Sequence, residues 1–132
     1  MQTFERLIPI LAYDDIAAAH DFLVNVFGFS SGGVMRDEAG HAVHGEVLVG
    51  DAPVWLHRVT ADHGAAVRAT ASAPRFGLVV HVGDVDAHYA RARAGGAQID
   101  QEPVDQPYGQ REYGARDCDG YQWWFATLTG KG

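Results

Sequence analysis

Cysteine and lysine are almost absent from this chain of 132 residues. Cys118 is the one cysteine, so no disulfide can form within the chain, and we expect a reducing, cytoplasmic location. Ten basic residues against seventeen acidic ones give a net charge of −7 at pH 7, and the one lysine is Lys131. Because nucleic-acid binding requires clustered basic side chains, we expect no nucleic-acid partner.

The sequence also lacks a long apolar run. No stretch approaches the roughly 18 apolar residues that a membrane-spanning helix needs, and no signal-peptide pattern is present, so we expect neither insertion nor export. Hydrophobic residues make up 47% and charged residues 20%, which are values typical of a folded globular chain. We therefore expect one compact domain over residues 1–132 and no membrane partner.

What the sequence does contain is one order of elements that occurs twice. Residues 5–60 predict a strand, a helix and three further strands, with the opening strand at residues 6–13. An Ala-, Thr- and Ser-rich stretch over residues 61–74 predicts a linker. Residues 75–128 then predict a second strand, helix and set of strands, in which residues 97–110 supply a short strand and a loop.

The two halves keep a constant spacing. Asp14 or Asp15 can cap the first helix and Asp84 the second, and the positions of Asp15 and Asp84 differ by 69 residues. Trp55 and Trp124 lie in corresponding strands, and their positions also differ by 69 residues. The sequence therefore predicts an α+β fold built from tandem βαβββ repeats.

Two adjacent tryptophans in the last strand must face opposite sides of a sheet, because side chains alternate along a strand. Trp123 and Phe125 then share one face, and Trp124 lies on the other. We expect Trp123 and Phe125 to pack under the helix.

The segments "DVDAHYARARAGGAQI" and "PYGQREYGARDCDGYQWWF", within this repeat, resemble the vicinal oxygen chelate superfamily of glyoxalases, bleomycin-resistance proteins and extradiol dioxygenases. The resemblance covers the chain from about Leu7 to about Leu128. It implies that each half curls into an incomplete barrel and that paired halves close around a cleft. It further implies a homodimer, often with exchanged halves.

Metal-using members of that superfamily carry a ligand in the first and last strand of each half. The resemblance places these four ligands at Ile8, Trp55, Gly77 and Trp124, none of which can bind a metal. We therefore expect no cofactor and no catalytic residue. The branch that this chain resembles is then the bleomycin-resistance type, which sequesters an antibiotic and catalyses nothing.

The same ligand positions, with strand alternation, indicate which side chains face the cleft. The two indole rings would stack on a flat aromatic or cationic ligand, and an acidic chain suits a cation. The predicted ligand-binding residues are Trp55, Trp124, His57, His81, Ile8, Ile10, Val79, Gln122 and Glu46.

Two alternatives stay open. In the first, both cleft tryptophans fill a closed core, and no ligand binds. In the second, the chain is a glyoxalase-like lyase or isomerase, or a dioxygenase-type enzyme. That enzyme would use a divalent metal displaced to His44, Glu46, His57 and His81, or an acid/base pair of Glu46 and His57.

Three other side chains receive no function from the sequence. His20 and His88 lie in the helices, and we expect them to face solvent. Cys118 lies between Asp117 and Asp119, whose charges should raise the pKa of its thiol and make it a poor nucleophile.

Overall fold

The structure is a computed structural model that describes residues 2–58 and 76–130. The predicted linker at residues 61–74 lies outside these described residues. Within them, the elements follow the predicted tandem βαβββ order. In chain order they are β1 (Ile10–Tyr13), α1 (Ile16–Asn25), β2 (Ser30–Arg36), β3 (Ala42–Val49), β4 (Ala52–Arg58), β5 (Leu78–His81), α2 (Val85–Ala94), β6 (Gln98–Gln106), β7 (Gln110–Arg116) and β8 (Gln122–Leu128).

Each half forms a sheet of four strands. The strand order is β1-β4-β3-β2 in the first sheet and β5-β8-β7-β6 in the second. In each sheet the opening strand pairs in parallel with the last strand of its half, with Ile10 opposite Trp55 and Val79 opposite Trp124. The two pairs are related by the spacing predicted from the sequence, so the repeat extends to the register of the strands.

Both helices begin where the sequence predicts. The side chains of Asp15 and Asp84 accept hydrogen bonds from the backbone N–H groups of Ala18 and Ala87, which satisfies one of the free donors at each helix start. Helix α1 then buries a stripe of apolar side chains against its sheet at Ile16, Ala19 and Leu23.

Two strands differ in length from the prediction. Strand β1 begins at Ile10 rather than at residue 6, because Pro9 has no N–H to donate to a neighbouring strand, although its carbonyl accepts from Trp55. Strand β6 runs for nine residues rather than forming a short strand. Its Pro103 is tolerated because β6 is an edge strand with register shifts on both sides of Gln101.

One core joins the two halves. Phe27 and Phe29, which follow α1, contact the rings of Trp123 and Phe125 at centroid distances of 4.9 to 6.2 Å. Trp123 is 1% exposed, and the same cluster includes α1 and α2 residues. The helix-covered faces of both sheets therefore share this core, and the expectation that Trp123 and Phe125 are core residues is confirmed.

Polar contacts reinforce the join between the halves. The Tyr13 hydroxyl and the Trp123 Nε1 group both donate to Oδ2 of the buried Asp117, at 2.5 and 3.0 Å. Burial raises the pKa of Asp117, and these hydrogen bonds oppose that rise. The Tyr121 hydroxyl donates to the Ala12 carbonyl at 2.9 Å. The hairpin between β7 and β8 is thereby attached to β1.

The expectation that the two helix histidines face solvent is wrong. His88 is half-buried, with Nε2 at 2.7 Å from the Phe27 carbonyl oxygen and Nδ1 at 2.5 Å from the Tyr113 hydroxyl. His20 is partly buried and lies 2.7 Å from the Ser31 hydroxyl. Both rings bridge a helix to another element, which a helical pattern in the sequence does not reveal.

Candidate ligand-binding faces

The sheet faces opposite the shared core carry the side chains predicted to line a cleft. Trp124 is partly exposed, whereas its neighbour Trp123 is buried, as strand alternation requires. Trp55 is likewise partly exposed between the buried Val54 and Leu56. Each sheet therefore places one indole on the face that points away from the core.

The indole of Trp124 lies against the backbone of β7. Gly114 is its cross-strand partner, and a Cβ atom at Gly114 would come within 2.6 Å of the indole Cζ3 atom. Because a side chain at that position would collide with the ring, Gly114 allows the indole to approach the backbone closely. We call this surface the second face. It consists of Trp124, Gly114 and the other residues of β5, β7 and β8 whose side chains point away from the core.

The face of the first sheet carries a cluster of aromatic rings beside a carboxylate. Trp55 and His57 are stacked at an interplanar angle of 8°, and His44 meets His57 edge-on at 5.1 Å between centroids. The Nε1 group of Trp55 donates to Oε2 of Glu46 at 2.9 Å, which fixes the orientation of the indole. We name this cluster of Trp55, His57, His44 and Glu46 the first face.

The second face carries a polar network that the sequence did not predict. The Tyr108 hydroxyl and the Gln110 Nε2 group both donate to Oε1 of Glu112, at 2.5 and 3.1 Å. Gln110 Oε1 lies 3.2 Å from His81 Nε2. Because Tyr113, the residue after Glu112, is buried in the core, alternation along β7 could have assigned Gln110 and Glu112 to the opposite face.

The other residues predicted to bind the ligand differ in their exposure and in their place on the strands. Ile10 and Val79 are 46% and 56% exposed, and they lie beside the two tryptophans in the parallel pairs. Ile8 is partly exposed and lies before β1 rather than within it. Gln122 uses its amide Nε2 to donate to the carbonyls of Ala115 and Trp123, both at 3.2 Å, which engages that group with the backbone.

Metal-binding side chains are dispersed in this structure. Among the described residues, no group of three or more His, Cys, Asp or Glu side chains is arranged to hold a metal ion. His44 and His57 are neighbours, but Glu46 already accepts from Trp55, and His81 lies on the second face. The four residues named for a displaced metal site therefore belong to two different faces.

Cys118 has the environment that the sequence indicated. The residue is exposed, but partial desolvation of its thiol raises the pKa to about 12, and the charges of Asp117 and Asp119 add to that effect. The residues around it serve the fold, because Asp117 also accepts backbone N–H groups from Asp119 and Tyr121. The thiol is therefore a poor nucleophile, as expected.

Neither helix in the described part of the chain is long and apolar enough to span a bilayer.

Several solved structures share this fold. TioX from Micromonospora sp. ML1 is 34% identical, with a TM-score of 0.72 over 93% of this chain and 95% of its own. UcmS2 is 24% identical, with a TM-score of 0.74 over 96% and 99%. TnmS3 from Streptomyces sp. CB03234, an antibiotic binding protein, is 21% identical, with a TM-score of 0.73 over 97% and 98%. Among curated proteins, none matches this chain.

A family model gives the assignment. The model of the Glyoxalase/Bleomycin resistance protein/Dioxygenase superfamily matches residues 6–125, from before β1 into β8, which includes Trp123 and Trp124. The match and the TioX similarity agree with the resemblance found in the sequence. The chain belongs to the Glyoxalase/Bleomycin resistance protein/Dioxygenase superfamily.

Proposed function

We propose that this protein is a homodimer that binds a small flat aromatic or cationic molecule between Trp55 and Trp124, sequesters it, and catalyses no reaction. The observation that carries the proposal is the equivalent placement of the two indoles. Both are partly exposed on the sheet faces that point away from the core. An antibiotic is the class of ligand that we propose.

The position of the core supports a cleft formed by two chains. The helix-covered faces of both sheets pack in the shared core. The first and second faces of one chain therefore cannot enclose a ligand between them. The first face of one protomer would therefore meet the second face of its partner, giving two equivalent clefts about a twofold axis. Exposed apolar side chains on these faces and in the preceding segment, Phe4, Leu7, Ile10 and Val79, also favour association.

The energetics of two indoles suit an aromatic ligand. A tryptophan buries roughly 150–250 Å² on contact, and an aromatic pair adds about 0.5–1.5 kcal/mol beyond that area. A cation over an indole adds roughly 0.5–2 kcal/mol. The net charge of −7 raises the local concentration of cations around the protein.

The relatives support the same class of ligand. TnmS3 is described as an antibiotic binding protein, and its chain aligns with nearly all of this one.

Light scattering and ligand titration test the two parts of the proposal. We expect twice the mass of one chain at micromolar concentration, and a monomer would contradict the shared cleft. A panel of flat aromatic and cationic compounds should quench indole fluorescence, with binding weakened by about 1–3 kcal/mol in Trp124→Ala.

Trp123→Phe is the matched control, because it alters the adjacent indole on the core side while keeping an aromatic ring. Absence of binding by the whole panel would refute the proposal. A stoichiometric Zn²⁺, Ni²⁺ or Fe²⁺ in untagged protein, with activity that follows the metal, would instead favour an enzyme.

A further inference from the structure

Glu112 on the second face is a buried carboxylate whose hydrogen-bond partners are both neutral. Its residue is 6% exposed, yet the two groups that reach it are the Tyr108 hydroxyl and the Gln110 amide. Both donate to the same oxygen, Oε1. Within residues 2–58 and 76–130, no donor reaches the other oxygen, Oε2, and Oε2 is not among the fully buried atoms without a partner, so it is accessible to solvent.

The arginines of the same strand are engaged with other acids. Arg111 donates to Asp86 at 3.0 Å and to Asp105 at 3.3 Å. Arg116 donates to Asp100 at 2.9 Å. Among the described cations, none therefore forms an ion pair with Glu112.

The protein covers most of this carboxylate, and one of its oxygens remains open. A carboxylate that is largely removed from water is ordinarily paired with a positive group. Tyr108 and Gln110 do not supply charge, but they hold Oε1 and so fix the direction of Oε2. The arrangement is that of an acceptor held ready for a group that the chain itself does not supply.

The location of Glu112 connects it with the stacking surface. Glu112 precedes Gly114 by two residues on the same face of β7, which is a separation of roughly 7 Å along the strand. The Trp124 indole covers Gly114. An aromatic ring stacked on Trp124 would therefore place a substituent on its edge next to Glu112.

We propose that Glu112 selects the ligand, by accepting an N–H hydrogen bond from a protonated nitrogen on an aromatic ring that stacks on Trp124. This inference rests on the proposed function, and it makes the ligand both aromatic and cationic. Tyr108 and Gln110 are positioning residues that act through Glu112.

Two flat probes of nearly equal size test the inference: 9-aminoacridine, which is protonated, and acridine, at a pH where acridine is neutral. We expect the wild-type protein to bind 9-aminoacridine more tightly, and Glu112→Gln to reduce this preference roughly 10- to 100-fold, because hydrogen bonds to charged groups are the strong ones. Affinity for acridine itself should change little.

Glu102→Gln is the matched control. It makes the same charge change in the same sheet, but Glu102 is exposed and lies next to the Tyr89 hydroxyl of α2 on the helix-covered side. We expect it to retain the preference of the wild type, which separates Glu112 from the general effect of net charge.

The outcomes separate this inference from the proposed function. Binding of both probes with an unchanged preference in Glu112→Gln refutes the role of Glu112 and leaves the proposed function standing. If Glu112→Gln does not fold, the wild-type protein still decides, because equal affinity for the two probes refutes the inference. If neither probe binds the wild-type protein, the inference fails, and the rest of the compound panel decides the proposed function.

Discussion

Replacing each of the two adjacent tryptophans by alanine tests the assignment of faces directly. Trp123 is 1% exposed, its ring lies 5.2 and 5.9 Å from those of Phe29 and Phe27, and its Nε1 group donates to Asp117. Removal of such a side chain leaves a cavity in the shared core and costs about 3–5 kcal/mol. Because total stability is about 5–15 kcal/mol, this change removes a large part of it.

Trp124→Ala should cost less, although the residue is the same size. The indole is partly exposed, so its removal forfeits only part of the burial energy of a large apolar side chain, roughly 1–2 kcal/mol. The free energy of unfolding should be measured by urea denaturation followed by far-UV circular dichroism, since both variants lose a fluorophore. All proteins are compared at one concentration, because the stability of the proposed dimer would depend on it. Equal losses in the two variants, or a larger loss in Trp124→Ala, would refute the assignment of faces.

Two further predictions concern ionisation. Burial lowers the pKa of His88 below its ordinary value of 6.5, and nearby Arg91 adds to the effect, while the bond to the Phe27 carbonyl opposes it. The folded state therefore binds fewer protons than the unfolded one, so the contribution of His88 to the free energy of unfolding is greatest above that value and is lost as the pH drops through it. The fall in melting temperature between about pH 7.5 and about pH 5.5 should be smaller in His88→Gln than in the wild type. An unchanged fall would contradict this. Because the pKa of Cys118 is raised to about 12, its alkylation by iodoacetamide near pH 9 should be at least about 10-fold slower in the folded protein than in urea. Equal rates would show that the thiol is not protected.

The parts of the fold that follow local rules could be predicted from the sequence. Asp15 and Asp84 cap their helices because a short acceptor before an apolar period satisfies free N–H groups, whatever the tertiary structure. The opposed faces of Trp123 and Trp124 follow from strand geometry alone. Because the two halves keep a constant spacing, the same local rules predicted equivalent elements in both halves.

The parts that depend on distant partners could not be predicted. His88 is held by the Phe27 carbonyl, 61 residues away in sequence, and no helical pattern indicates such a contact. The length of β6 was missed because a polar segment containing Pro103 has weak strand propensity, and its pairing with β7 decides the outcome. The Glu112 network was missed because Tyr108 reaches it from a turn.

Gly114 has an implication for how the second face could change its shape. The Trp124 ring lies close to the backbone of β7 because no side chain stands beneath it, and a single added carbon at Gly114 would collide with the ring at 2.6 Å. A substitution there would push the ring away from β7, although Gly114 itself is buried. If the proposed ligand stacks on Trp124, one hidden backbone position would therefore control where the stacking surface lies, while the exposed side chains of the face keep their chemistry.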